Sequence, residues 1–337
     1  MKKNVLYIGN YLQDKKRNAS YMFTLGNLLE NEGYHLTYAS CYNNKVLRLV
    51  NMLYAVIRKR GSTDYVLIDT YSTQNFYYAV MVSSLCRWLQ LSYIPILHGG
   101  NLPRRLKKFS KLSQTIFRNA HINVAPSGYL KTAFKEAGYA NTIYIPNTLQ
   151  IADYPFMKRP KDVIRLLWVR SFSEIYNPLL AVKVLKSLVV KGFEATLCMV
   201  GPNSDGSIEN VEKYCNLHQL DVAFTGKLSK AAWIELSQQY NIFINTSNFD
   251  NAPVSVIEAM ALGLPVVSTN VGGMPYLINH KTDGLLVESN SVDNMVDAIL
   301  HLYDNPDFAI TLALNARCKV EQFDWEVVKQ EWFDVLK

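Results

Sequence analysis

The chain has 337 residues, 49% apolar and 19% charged, which excludes a disordered protein and fits a folded globular one. Its length predicts about two domains. The net charge of +7 is unevenly divided, +13 over residues 1–150 and −6 over the remainder, so the two halves present different surfaces.

The basic half carries no recognisable nucleic-acid-binding module, and no nucleic-acid partner is expected. The five cysteines, Cys41, Cys86, Cys198, Cys215 and Cys318, are scattered without a C-x-x-C pair. Neither a metal site nor a disulfide framework follows, and a reducing, cytoplasmic setting fits.

The opening apolar run, Val5 to Ile8, is broken by Gly9, Asn10, Gln13 and Asp14, so it reads as a first strand rather than a leader. No stretch approaches the roughly 18 apolar residues of a membrane span. Met22, Leu25, Leu28 and Leu29 then fall on one helical face that Gly33 ends. Further strands are predicted at 35–40, 65–69, 93–97, 122–125 and 142–145, with helical patterns between most of them. Such alternation predicts a parallel sheet covered on both faces.

Pro155, Lys158, Arg159, Pro160, Lys161 and Asp162 form a polar, breaker-rich stretch, read as a linker. The alternation restarts beyond it. Strands are predicted at 164–169, 195–200, 222–224, 242–245 and 265–268, and helices at 178–191, 209–218, 230–239 and 254–262. Two doubly wound α/β domains follow: residues 1–157, residues 158–320, and a C-terminal helix at 321–337 expected to pack back toward the first domain. In open α/β sheets ligands sit at the carboxyl ends of the strands, so the crevice between two such domains is the expected site. The Gly-rich dinucleotide fingerprint, the P-loop, H-E-x-x-H and G-x-S-x-G are all absent from the sequence.

The segment from Asn245 to Val287 carries the chemistry. A strand ends in a polar loop, and Pro253 stands where a helix can start without losing a hydrogen bond. Gly263 and Pro265 stop that helix, and Gly272-Gly273 makes a second tight loop. Free N–H groups and the dipole at the helix start favour a phosphate or a polar sugar. Asp250 precedes the helix and Glu258 lies inside it, where a carboxylate can accept from sugar hydroxyls.

Asp250, seven residues, Glu258, then Ala259, Ala261, Gly263, Pro265-Val266-Val267, Thr269 and Gly272-Gly273 resemble the signature of the retaining glycosyltransferases of family 4. That family has the GT-B fold, two Rossmann-like domains facing a central cleft. The resemblance implies that Glu258 binds the nucleotide ribose and that Asp250 contacts the transferred sugar. It implies that the backbone of Asn251, Ala252, Pro253 and Val254, with Ser255, holds sugar hydroxyls or phosphate. Arg170, at the end of the first strand of the second domain, becomes the diphosphate ligand, a task suited to a planar charged fork. His98, followed by Gly99-Gly100 after a strand, becomes the residue facing the sugar. Gly9, Gly201 and Thr225 are expected to line the donor.

The sequence departs from the pattern at four places. No lysine follows Arg170 about five residues on, Asp250 stands where Glu is usual, Tyr276 stands where Glu is common, and Gly9-Asn10 lacks the usual glycine pair. The implied reaction moves a hexose from a nucleoside-diphosphate sugar, with uridine the commonest base in the family, to an acceptor hydroxyl with retention. Polysaccharide or glycolipid assembly is the expected setting. The nucleotide sugar is a co-substrate, with no further cofactor or metal, and the acceptor is a glycan or a lipid-linked glycan. The stretch Val46 to Arg60, and Arg104, Arg105, Lys107 and Lys108 with the residues to Arg118, are candidate surfaces for an anionic membrane on the cytoplasmic side. Two other expectations stand beside this one: a catalytically silent sugar-nucleotide-binding subunit, and a sugar-nucleotide epimerase of similar fold.

Overall fold

The computed structural model describes residues 2–10, 21–159 and 163–337. The elements run β1 Asn4–Ile8, α1 Tyr21–Asn31, β2 His35–Ala39, α2 Lys45–Lys59, β3 Tyr65–Thr70, α3 Asn75–Trp88, β4 Ser92–Leu97, α4 Leu102–Lys108, α5 Ser110–Phe117, β5 Asn123–Ala125, α6 Gly128–Glu136 and β6 Thr142–Tyr144. They continue with β7 Ile164–Val169, α7 Pro178–Val190, β8 Ala195–Val200, α8 Ser207–His218, β9 Val222–Gly226, α9 Lys230–Ser237, β10 Ile242–Asn245, α10 Val254–Ala261, β11 Val266–Thr269, α11 Met274–Leu277, β12 Leu285–Val287, α12 Val292–Asp304, α13 Pro306–Glu321 and α14 Trp325–Val335.

Two compact units result. The first holds the described residues up to 148 together with 325–337, and the second holds those from 149 to 324. The first contains a six-stranded sheet of order β2-β1-β3-β4-β5-β6, the second one of order β12-β11-β10-β7-β8-β9. Every strand pairing is parallel. The two doubly wound sheets expected from the alternation are present.

Burial on both faces explains why the central strands read as unbroken apolar runs. In the first unit Leu6, Ile8, Val66 and Ile68 pack with residues of α2, α3, α5 and α6. Val5, Tyr7, Leu67, Ile94 and Ile96 pack on the opposite face against α1 and against Trp325, Val328, Trp332, Val335 and Leu336 around α14. In the second unit Leu166 and Trp168 face α7, α8 and α12, while Leu167 and Phe243 face α10, Leu149 and Tyr154.

Of the stretch read as a linker, Pro160, Lys161 and Asp162 lie outside the described residues. Arg159 is folded into the second unit. Its guanidinium donates to the carbonyls of Ser237 (2.8 Å) and Leu262. These carbonyls lie at the ends of α9 and α10, where intrahelical partners run out. Burial lowers the Arg159 pKa to about 10. No described helix is long and apolar enough to cross a membrane.

Candidate functional site

The second unit gathers most of the expected residues at the carboxyl ends of its strands. Arg170 follows β7, and its N–H donates to Val200 O (3.0 Å). Gly201 follows β8 at φ +151°, and a Cβ there would collide with the Arg170 carbonyl. Gly201 therefore works by letting the β7 and β8 ends close together. The Arg170 guanidinium lies 4.5 Å over the Tyr176 ring, and one Nη pairs with Asp250 Oδ2. Burial lowers its pKa, and its Nε is buried without a partner. Thr225, near the end of β9, donates its hydroxyl to Gly226 O (3.0 Å).

The loop between β10 and α10 is held by its own side chains. Trp168 Nε1 donates to Thr246 Oγ1 (2.9 Å), which donates to Tyr176 O (2.8 Å). Ser247 Oγ donates to Asn245 Oδ1 (2.8 Å), and Thr269 Oγ1 donates to Ser247 O (2.6 Å). Gly273 N–H donates to Asp250 O (2.9 Å). A Cβ on Gly272 would strike Asp250 O, and one on Gly273 would strike Asn251 O. The glycine pair thus makes room for the Asp250–Asn251 backbone.

Asp250 is internally committed. Its Oδ1 accepts from Asn251 N–H (2.9 Å), and its Oδ2 accepts from Arg170 and from Ser247 Oγ (3.3 Å). The Asn251 amide expected to meet a ligand is therefore occupied by the neighbouring carboxylate. Asn251 and Pro253 are buried, and Ala252 and Val254 are half-buried.

α10 starts differently. Pro253 is its N-cap and supplies no side-chain acceptor. Val256 and Ile257 donate to Pro253 O at 3.1 and 3.3 Å. The N–H groups of Val254 and Ser255 have no partner among the described residues, and the Ser255 hydroxyl is buried and unpartnered. Unsatisfied donors at a helix start suit an anion.

Glu258, one turn inside α10, is buried. Its Oε1 accepts from the Tyr154 hydroxyl (2.8 Å) and from Lys230 Nζ. Its Oε2 has no hydrogen-bond partner among the described residues. Burial raises the Tyr154 pKa, and partial desolvation of the half-exposed Lys230 lowers its pKa to about 8. Tyr154 follows a 3-10 turn at Ile151–Asp153, and Lys230 is the first residue of α9.

Gly9 and His98 belong to the first unit. His98 Nε2 lies 2.8 Å from Asp69 Oδ1, and that oxygen also accepts from the Tyr7 hydroxyl (3.1 Å). The imidazole stacks on the ring of Tyr71 (centroids 5.3 Å) and meets that of Tyr21 edge-on (5.7 Å). A Cβ on Gly9 would strike Asp69 Oδ2, so this glycine is the gap that admits the carboxylate. Asp69 is fully buried, and beside this acid the described partners of Nε2 leave Nδ1 as the open nitrogen.

Residues 164–305, which cover this loop–helix–loop, match the sequence model of the family described as Glycosyl transferases group 1. The whole chain superposes on Anabaena HepE, solved with UDP and glucose, at TM-score 0.79 and 18% identity, over 99% of both chains. It superposes on sucrose-phosphate synthase of Thermosynechococcus elongatus at TM-score 0.81 and 16% identity, over 99% and 98%. The chain has the GT-B fold.

Curated relatives add sequence similarity. The chain is 26% identical over 243 residues to the N-acetyl-alpha-D-glucosaminyl L-malate synthase of Bacillus anthracis, covering 70% of this chain and 58% of that enzyme. It is 25% identical over 150 residues to the Escherichia coli UDP-Gal:alpha-D-GlcNAc-diphosphoundecaprenol alpha-1,3-galactosyltransferase, covering 43% and 37%. The matched stretches span less than two thirds of either relative.

Within this GT-B chain, sequence reasoning missed Lys230, Tyr154, Tyr176, Asp69 and Tyr7. Lys230 alone carried a signal, as a cation at a helix start next to the Thr225-Gly226-Lys227 loop. The others are strand-end or turn residues that only tertiary pairing singles out.

Proposed function

We propose that the protein is a retaining hexosyltransferase that takes its sugar from a nucleoside-diphosphate sugar, with UDP the favoured carrier. The acceptor is a hydroxyl of a glycan or lipid-linked glycan, as in bacterial polysaccharide or glycolipid assembly. One observation carries the reading. Glu258 is held through Oε1 while Oε2 has no partner among the described residues, one turn from the N–H groups of Val254 and Ser255, which have none there either. A vicinal diol donates to Oε2, and a phosphate accepts from the helix start and the Ser255 hydroxyl. Such a site acts by positioning and by stabilising charge on the leaving diphosphate. The UDP-bound state of HepE and the donor named for the Escherichia coli relative favour uridine.

The test is a thermal-shift screen of nucleoside diphosphates and their sugars, since a ligand of the folded state raises apparent stability by mass action. UDP or a UDP-sugar is expected to stabilise most. Glu258→Gln is expected to weaken that binding about 10- to 100-fold, the cost of a hydrogen bond to a charged group. No stabilisation by any nucleotide, or an unchanged response of the variant, would overturn the assignment.

The pairing of Asp250 with Arg170 supports a second reading, a sugar-nucleotide-binding subunit without turnover. Both Asp250 oxygens have protein partners, so a sugar hydroxyl there has to share an oxygen with Asn251 N–H or with Arg170 and Ser247. Release of free nucleoside diphosphate in the presence of acceptor distinguishes the two.

The first unit supports a membrane as the further partner, with the protein peripheral on its cytoplasmic face. α2 buries Arg48, Met52 and Val56 and leaves Val46, Leu47, Val50, Tyr54 and Ile57 between 49% and 69% exposed. These five lie at helical spacing on one face, and Arg58, Lys59 and Arg60 close the helix. An apolar face with a basic end fits the headgroup boundary of an anionic bilayer.

A further inference from the structure

Lys230 sits where the sequence pattern offers no phosphate ligand. Ser229 caps α9, its Oγ accepting from Ala232 N–H (3.2 Å), and so fixes Lys230 as the first helical residue. The ammonium reaches across to α10 and bonds Glu258 Oε1, the oxygen that also takes the Tyr154 hydroxyl. An ammonium carries three N–H donors. Glu258 uses one, the side chain is 54% exposed, and the other donors have no hydrogen-bond partner among the described residues.

Each of two cations in the unit holds a carboxylate and lies over an aromatic ring: Arg170 has Asp250 and Tyr176, and Lys230 has Glu258 and Tyr154. No lysine occurs between Arg170 and Pro178. Among the described residues, the cation paired with Glu258 is Lys230. A ligand that satisfies both groups donates through hydroxyls to Oε2 and, a few bonds away, offers anionic oxygens to the ammonium. A ribose diol followed by a 5′-phosphate has that order of groups.

We infer that Lys230 binds the phosphate of the nucleotide whose ribose Glu258 holds, and so supplies the positive charge that no residue between Arg170 and Pro178 provides. This rests on Glu258 as the ribose ligand. The ion pair with Glu258 need not break, because the free donors of the same ammonium make the phosphate contact. A counter-ion that only neutralises Glu258 has a different consequence. Its loss disturbs the carboxylate and weakens nucleoside and nucleotide alike.

Ligand-observed NMR titrations of the full chain with uridine, UMP and UDP, and in parallel with guanosine, GMP and GDP, separate the two. Lys230→Gln is expected to weaken the mono- and diphosphate about tenfold or more, the scale of a lost charge-assisted hydrogen bond. It should leave the nucleoside within about twofold, a change too small to count as a lost contact. Lys230→Arg is expected to restore most of the phosphate affinity. Equal weakening of nucleoside and nucleotide, or no change in either, overturns the assignment. Glu258→Gln marks the separate failure: if it leaves nucleoside binding intact, or if wild type binds neither series, the ribose reading falls and the phosphate reading falls with it.

Discussion

Single residues decide two geometries here. In the second unit, Lys230 and Tyr154 both hold Glu258 through one oxygen, Oε1, and leave Oε2 without a partner among the described residues. In the first, Asp69 divides the nitrogens of His98. An ionised carboxylate only accepts, so the imidazole presents Nε2–H to Asp69 and leaves Nδ1 as an acceptor. Tyr7 holds the same carboxylate oxygen, and burial with the neighbouring acid raises the pKa of its hydroxyl. The 15N spectrum at pH 8 is therefore expected to show His98 as the Nε2–H form. Asp69→Asn replaces a pure acceptor with an amide that can donate, and is expected to populate the other form. It should also cut turnover by about 10- to 100-fold, the cost of one misplaced hydrogen bond to a charged group. An unchanged spectrum would show that Asp69 does not orient the ring.

Elements carry the membrane prediction. Arg48 turns inward from α2 to the carbonyl of Tyr42 (2.8 Å), so the exposed stripe is apolar, with Lys45 at the start of the helix and Arg58, Lys59 and Arg60 at its end. The full chain is expected to co-sediment with phosphatidylglycerol vesicles, less with phosphatidylcholine, and to be released by moderate salt. Replacing Arg58 or Lys59 with Gln should weaken binding about fivefold each, at roughly 1 kcal/mol per basic residue near the surface. Val50→Asp should weaken it further. Equal binding to both vesicles, or indifference to these changes, would dismiss α2 as the docking face. The existence of such elements was largely legible in the sequence. β1, β3, β4, β7 and β10 are apolar runs because both faces are buried. Their ends were less so: α8 starts at Ser207 rather than 209, because Asp205 Oδ1 accepts from Ser207 N–H (3.1 Å). Of the site, the loop and helix from Asp250 to Glu258 could be read directly. Lys230 and Tyr154 could not, since they meet Glu258 across 28 and 104 residues. Nor could the commitment of Asp250 to Arg170, 80 residues away, which no local spacing encodes.

At the scale of the molecule, the two units differ in how the chain supplies them. Among the described residues, the second is drawn from 149–324 alone, whereas the first is completed by 325–337. Trp325, Val328, Trp332, Val335 and Leu336 are all buried against the first sheet. Burying each is worth about 1.5–3 kcal/mol, so the five together rival the roughly 5–15 kcal/mol that holds a domain folded. A chain cut after Asp324 is therefore expected to lose the first unit and keep the second. Limited proteolysis should then leave a resistant fragment spanning about 149–324, and equal protection of both units would contradict the packing. The same arrangement sets a schedule for biosynthesis. The last strand of the first sheet, β6, leaves the ribosome long before α14, and at about 5–20 residues per second the gap is on the order of ten to thirty seconds. Through that interval α1 is the one described helix on that side of a finished sheet, a surface suited to transient chaperone capture until the final helix emerges.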